Sequence, residues 1–315
     1  MQYYFAPLEG LTDSTYRRLH HRFFGGPDRY YTPFFSPTVH RALTAREARE
    51  LPQADAENFS VVPQVLTKNA EDLIWFAGIC RDLGHKEINL NLGCPSGTVA
   101  SKGKGAGMLR DPDTLARFLD SIFTSAPLPI SVKTRIGYES EEQWADILDL
   151  YNRYPIAELT VHPRIRKDFY NGPVNMEAFR FAVQNSKAPL CYNGNLCTRQ
   201  DITDIQAEFP QLSAMMLGRG LIADPGLLTP NGTDAVTLEA FHDALLEAYI
   251  RTFGGERNAM FRMKENWRHW LCKFENAEKL GKQLRKTTDM QQYRQIAHQV
   301  FHSLPMRQDI APDWD

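Results

Sequence analysis

Short apolar runs with β-branched or aromatic residues recur along the chain at residues 3–7, 29–34, 60–64, 87–91, 130–134, 158–162, 190–193 and 214–218. Each has the length and content of a buried strand. They begin about 25 to 30 residues apart, with one gap nearer 40, and the intervals carry the 3.6-residue period of helices, as over 70–83, 113–124 and 141–153. Eight strands separated by helices within about 220 residues match the count and length of a (β/α)8 barrel. A doubly wound sheet for dinucleotides needs a glycine-rich first turn, and Ala6-Pro7-Leu8-Glu9-Gly10 does not supply one.

The pattern changes at Thr229-Pro230-Asn231-Gly232-Thr233, a turn cluster that reads as a linker. Beyond it the strand period is gone and helical stretches cover 238–253, 259–274 and 290–302. The expected fold class is therefore α/β, a TIM barrel over residues 1–232 with an all-helical domain over 233–315. The last dozen residues, with Pro305, Pro312 and three aspartates, read as a frayed tail.

Composition narrows the function. The chain has 315 residues, 43% hydrophobic and 23% charged, with a formal net charge of −2. That excludes a disordered chain and wholesale electrostatic capture of nucleic acid or membrane. Locally, residues 240–310 hold twelve Lys/Arg against eight Asp/Glu, so the helical part is basic. Five cysteines at irregular spacing, without a Cys-x-x-Cys pair, fit neither a disulfide framework nor a zinc site, and no metal is expected. No leader pattern and no apolar run of about 18 residues is found, so a cytoplasmic protein without a membrane partner is the expectation. A monomer is expected, though nothing in the sequence fixes the oligomeric state.

In a barrel the chemistry lies at the C-terminal strand ends. Those ends carry Ala6-Pro7-Leu8-Glu9, Gln64, Asn91-Leu92-Gly93-Cys94-Pro95, Lys133-Thr134-Arg135, His162-Pro163-Arg164, Asn193-Gly194-Asn195 and Gly218-Arg219-Gly220. The last two follow the seventh and eighth strands, where barrels bind phosphate on backbone N–H groups. Lys133 and Arg135 share a strand face, and two cations in a barrel mouth need an anionic partner, which the edge of a reduced flavin provides. Gln64 donates and accepts, as a pyrimidine edge requires. Cys94 opens a glycine-rich stretch, Lys102-Gly103-Lys104-Gly105-Ala106-Gly107, expected to be a flexible lid. That stretch misses the spacing of a P-loop, and no Gly-x-Ser-x-Gly elbow or His-Glu-x-x-His helix is present.

Taken together these segments resemble the tRNA-dihydrouridine synthases, flavoenzymes that reduce uridines in tRNA. The resemblance rests on Ala6-Pro7-Leu8-Glu9-Gly10-Leu11-Thr12-Asp13, on Asn91-Leu92-Gly93-Cys94-Pro95 running on to Gly105-Ala106-Gly107-Met108-Leu109, and on Gln64, Lys133-x-Arg135, His162-x-Arg164, Asn193-Gly194 and Gly218-Arg219-Gly220. It implies that NADPH reduces bound FMN, that hydride passes from FMN N5 to uracil C6, and that Cys94 gives the proton to C5. It further implies FMN contacts from Ala6, Pro7, Leu8, Glu9, Gln64, Lys133, His162, Asn193, Gly194, Asn195, Gly218 and Arg219. Uridine and tRNA contacts fall to Asn91, Arg135, Arg164, Arg262, Lys264, Arg268 and Arg285. The helical tail resembles the family's tRNA-binding domain through Arg262-Met263-Lys264 with Trp267 and Trp270. The chain departs from the family pattern at Pro163, Ile165 and Asn195 and in Thr32-Pro33-Phe34-Phe35. Two rival readings are an FMN barrel acting on a free pyrimidine, like dihydroorotate dehydrogenase, and a non-catalytic RNA-binding protein. The basic helical domain argues against the first, and Cys94, Lys133 and Gln64 argue against the second.

Overall fold

The structure, a computed structural model, describes residues 1–308. Most of the stretch expected to be a frayed tail therefore lies outside the described residues. Nine strands form one parallel sheet: β1 (Gln2–Phe5), β2 (Arg29–Tyr31), β3 (Ser60–Val62), β4 (Gln64–Val65), β5 (Ile88–Leu92), β6 (Ile130–Gly137), β7 (Leu159–Ile165), β8 (Leu190–Tyr192) and β9 (Ala214–Leu217). The order of neighbours is β3-β2-β1-β9-β8-β7-β6-β5-β4. Its two ends, β3 and β4, are one stretch of chain interrupted only at Pro63, so the sheet returns to its own start. Proline has no N–H to give to a ladder, which explains the interruption. The expected run 60–64 is thus two short strands, and the fold is the (β/α)8 barrel.

Two strands exceed their expected limits. β6 continues three residues past Thr134 to Gly137 and β7 continues past His162 to Ile165, pairing Arg135 with His162 and, after a shift in register, Gly137 with Ile165. Both are buried over nearly their whole length.

The chain forms two compact units that do not follow one cut. One holds Met1–Pro7, Asp28–Gly194 and Gln206–Met216, and contains the sheet up to Met216; the other holds Leu8–Pro27, Asn195–Ile205 and everything from Leu217 onward. In the helical unit, the helix Ala235–Phe253 starts where Asp234 accepts from the Thr237 N–H and ends at Gly254, whose φ of 67° is the left-handed cap that glycine allows. It buries Leu238, Phe241, Leu245, Leu246 and Tyr249 at helical spacing. Phe241 packs edge-on against Tyr16, 5.4 Å between centroids, and against Phe24 at 5.2 Å. Tyr16 belongs to the helix Ser14–Phe23, capped by Asp13, and Phe24 follows it.

The stretch 229–233, expected as a linker, is a closed turn. Thr229 donates from N and Oγ1 to the Gly226 carbonyl, and Thr233 is fully buried on Asp224. Asp224 in turn holds Lys273, 2.6 Å away and wholly buried, in an ion pair.

Candidate active site

The mouth of the barrel is organised by a chain of amides along one rung of the sheet. Gln64, Asn89 and Ser131 are register partners across β4, β5 and β6. Gln64 Nε2 donates to Asn89 Oδ1 (2.8 Å), and Asn89 Nδ2 donates to Ser131 Oγ (2.9 Å). One residue pair higher, Asn91 Nδ2 donates to Gln64 Oε1 (2.8 Å), while Asn91 Oδ1 accepts the N–H groups of Gly93 (3.0 Å) and Cys94 (2.9 Å). Every link points the same way, so each bond polarises the next. These bonds leave one N–H each on Gln64 and Asn91 for a partner in the mouth. The carbonyl oxygen of Asn91 is engaged by the Cys94 turn, so its contribution to a substrate is that single donor.

Cys94 is half-buried at the top of this chain. The Ala106 N–H holds its carbonyl at 3.1 Å, and a Cβ at Gly105, whose φ is 57°, would come within 3.0 Å of Cys94 Cβ. The glycine-rich stretch beyond it is not a lid. Residues 105–109 are buried in a tight 3-10 turn, and a Cβ on Gly107 would collide with the Ala100 carbonyl. Gly105 and Gly107 serve close packing that clamps the cysteine rather than mobility.

Around the thiol stand the cations. Lys133 is the register partner of Asn91 and is partly buried. Burial, and then the Arg135 charge, push its ammonium down to about 8; Cys191 and Cys94 act in the opposite sense, and among the described residues the groups that act on it include no carboxylate. Arg135 is 1% exposed and donates to the carbonyls of Gly93, Ile165 and Phe169. Burial presses its pKa downward, yet a guanidinium stays charged at neutral pH. Arg135 therefore ties the Cys94 turn to the end of β7 and keeps two N–H groups for a ligand. Arg164 is also buried, bonded to His162 Nε2 (2.9 Å) and to the carbonyls of Asn171 and Gly172. It braces the loop after β7, a role not expected for a substrate contact. Ring contacts add Tyr170, 5.5 Å from the Arg135 guanidinium and 6.1 Å from His162.

Of the remaining expected residues, Ala6 and Pro7 close β1, and in the same unit Asn193 Nδ2 donates to the Met216 carbonyl (2.7 Å) beside a buried Gly194. In the other unit Leu8 opens a turn whose N–H donates to Thr12 Oγ1 (2.8 Å), with Glu9 exposed. There too Asn195 has a φ of 43°, and a Cβ on Gly220 would strike the Leu196 carbonyl, so the chain after Asn195 and the chain after Arg219 meet backbone to backbone. The basic residues Arg262, Lys264, Arg268 and Arg285 all line one cleft of about 740 Å³ in the helical unit. Two of them are engaged internally. Lys264, buried, donates to the carbonyls of Arg285 and Thr287, and Arg262 faces Asp13 at 3.8 Å.

Asn89, Ser131 and Tyr170 were missed from sequence. Asn89 and Ser131 had a signal, a polar residue two positions before Asn91 and before Lys133 on the same strand face; Tyr170 had none. Among the described residues, no helix is long and apolar enough to cross a membrane. Glu239, His298 and His302 offer ligand atoms within 4.8 Å of one another in the helical unit. All five cysteines are free thiols.

A family model described as dihydrouridine synthase matches residues 4–306. A probable tRNA-dihydrouridine synthase of Staphylococcus epidermidis is 26% identical over 317 residues, covering 97% of this chain and 95% of its own. One of Staphylococcus aureus strain COL is 30% identical over 235 residues, 70% and 68% of the two chains. One of Rhizobium leguminosarum bv. phaseoli is 27% identical over 318 residues, 95% and 94%. Among solved structures, a morphinone reductase superposes with a TM-score of 0.51 at 12% identity over 72% of this chain and 84% of that one, a likeness of fold alone.

Proposed function

We propose that this chain, which belongs to the dihydrouridine synthase family, is a tRNA-dihydrouridine synthase that uses FMN and NADPH to reduce the C5–C6 bond of uracil in tRNA. The observation that carries the reading is a single thiol, Cys94, fixed by Asn91 and acting electrostatically on both Lys133 and Arg135 at the end of adjacent strands.

The residues fit a flavin. Lys133 is an enclosed ammonium whose electrostatic neighbours among the described residues include no carboxylate, the donor that an anionic ring edge requires. Gln64 keeps one N–H for a pyrimidine edge. In the barrel unit Ala6, Pro7, Gln64, Lys133, His162, Asn193 and Gly194 would hold the group. When bound, the flavin supplies the hydride, and NADPH replenishes it.

The chain's own residues do the rest. Asn91 and Arg135 present N–H groups to the uracil carbonyls, drawing electron density from the ring so that C6 becomes the electrophile. Arg164 supports this pair through the loop that carries Tyr170. The proton for C5 comes from the Cys94 S–H, acting as general acid. The thiolate left behind is balanced by Lys133 and Arg135. Extracting the base from its stack costs a few kcal/mol, which RNA contacts in the helical unit offset. In this reading the flavin-binding domain spans 1–232 and the tRNA-binding domain 233–315.

A visible spectrum of the purified protein, followed by anaerobic reduction with NADPH and reoxidation with unmodified tRNA, tests the proposal. Flavin reoxidised by tRNA but not by orotate or fumarate is the expected result. A colourless protein that FMN cannot reconstitute overturns it.

A further inference from the structure

We propose that the cleft of the helical unit binds one unpaired nucleotide of the RNA substrate, its base stacked on Phe261 and its phosphate held by Arg268 and Arg285. This rests on the tRNA reading above and adds to it a subsite remote from the reacting uracil in sequence and in unit.

Phe261 lies on the helix Glu256–Trp270, whose apolar stripe of Ala259, Met260, Met263, Trp267 and Trp270 is buried. That stripe meets the packing need of the helix, and Phe261 is left 45% exposed outside it. An isolated exposed apolar side chain needs no account. This one stands in a cleft of about 740 Å³ together with Phe253 and four cations, against a single carboxylate, Glu265.

The four cations are not equivalent. Lys264 and Arg262 are bonded or paired inside the unit, as described above. Among the described residues Arg268 pairs with Glu265, three residues away at 3.0 Å, and both side chains are more than half exposed (66% and 52%). Such a pair is worth little in water and yields to a stronger anion. Arg285 is exposed on the last turn of the helix Glu278–Lys286. Guanidinium groups bind phosphate through paired N–H donors, so phosphate recognition falls to Arg268 and Arg285.

The same cleft sets the chemistry of what accompanies the phosphate. Lys264 Nζ and the Arg257 guanidinium lie 5.2 and 5.8 Å from the Phe261 centroid, so this ring already has cations over it. A nucleobase laid on its open area gains a stacking contact and brings a second π surface to those charges. An acidic peptide meets the charges but offers no flat face to Phe261. A base inside a duplex has both faces covered by its neighbours, so the nucleotide must be unpaired.

The full-length protein tests this with two RNA probes. For unmodified tRNA, Phe261→Ala is expected to weaken binding about tenfold with an unchanged salt slope, Phe261→Tyr to bind as wild type, and the Arg268→Ala/Arg285→Ala pair to lower the slope itself. For a short single-stranded oligoribonucleotide carrying 2-aminopurine, wild type and Phe261→Tyr should quench the emission and Phe261→Ala should not. Equal tRNA affinity and equal quenching in Phe261→Ala, at an unchanged melting temperature, overturn the subsite. The two readings fail separately. Wild-type protein that forms no dihydrouridine, with quenching that still follows Phe261, sinks the reaction and keeps the subsite; normal dihydrouridine formation by a Phe261→Ala protein of undiminished affinity does the reverse.

Discussion

Lys133 is a base whose protonation depends on what lies beside it. With its pKa lowered from 10.5 to about 8, the folded chain binds fewer protons at this residue than the unfolded chain throughout the window between those values. Below about pH 8 the cost of enclosing the charge is present in full, and stability of the flavin-free protein rises as the pH climbs from 8 toward 10.5. The anionic ring edge of reduced FMN reverses the shift, so at Lys133 its binding should take up close to one proton near pH 9 and none near pH 6. Titration calorimetry in buffers of different ionisation enthalpy measures this, and the uptake should vanish in Lys133→Met; equal uptake at both pH values would discard the pairing. Cys94 carries the other residue-scale expectation. Cys94→Ala should slow dihydrouridine formation by roughly 10²–10⁴ fold in single-turnover assays while tRNA affinity is retained. Undiminished turnover in that variant would remove the thiol from the reaction. Both residues were legible from their neighbours in sequence. The duties of Arg135 and Arg164 were not, because the carbonyls they brace belong to a loop whose path no local pattern specifies.

At the scale of elements, spacing and period located the strands and six of the helices, since both are local properties of the chain; Ser14–Phe23, Met176–Asn185 and Arg199–Glu208 are among those left unlocated. The helix Glu278–Lys286 escaped, although Leu280 and Leu284 sit one turn apart on its buried side. The glycine-rich stretch after Cys94 was misread for a physical reason. A missing Cβ permits either mobility or close approach, and only the proximity of the Ala100 carbonyl to Gly107 decides for the second. The amide rung is likewise an element-scale object, because its meaning lies in the register of three strands. Replacing Asn89 by Leu takes the acceptor from Gln64 and the donor from Ser131 together. We expect a loss of about 1–3 kcal/mol in denaturant unfolding, and a slower Cys94-dependent step from the loosened turn. Unfolding equal to wild type would show that the rung adds no stability.

For the whole molecule, a cut after residue 229 is an obvious way to separate chemistry from tRNA binding, and the packing argues against it. Such a cut takes Phe241 from Tyr16, Phe23 and Phe24, and takes Tyr249 and Arg262 from Asp13. The shortened chain should therefore aggregate or lose its cooperative melt, as sedimentation and calorimetry would show. A soluble monomer with a sharp transition would refute this. None of it was readable in sequence, where partners more than two hundred positions apart leave no periodic trace.

That interleaving also bears on inheritance. A gene that exchanged only the part beyond residue 232 with a relative's would join a foreign Phe241 and Arg262 to a resident Asp13, Tyr16 and Phe24. A workable transplant has to carry three separate pieces, Leu8–Pro27, Asn195–Ile205 and the stretch from Leu217 onward. One crossover cannot move them together. If the proposed function holds, the segments that choose and reduce the RNA drift as a single inherited unit, and a change of target is expected to arise by substitution within the lineage rather than by borrowing a ready-made module.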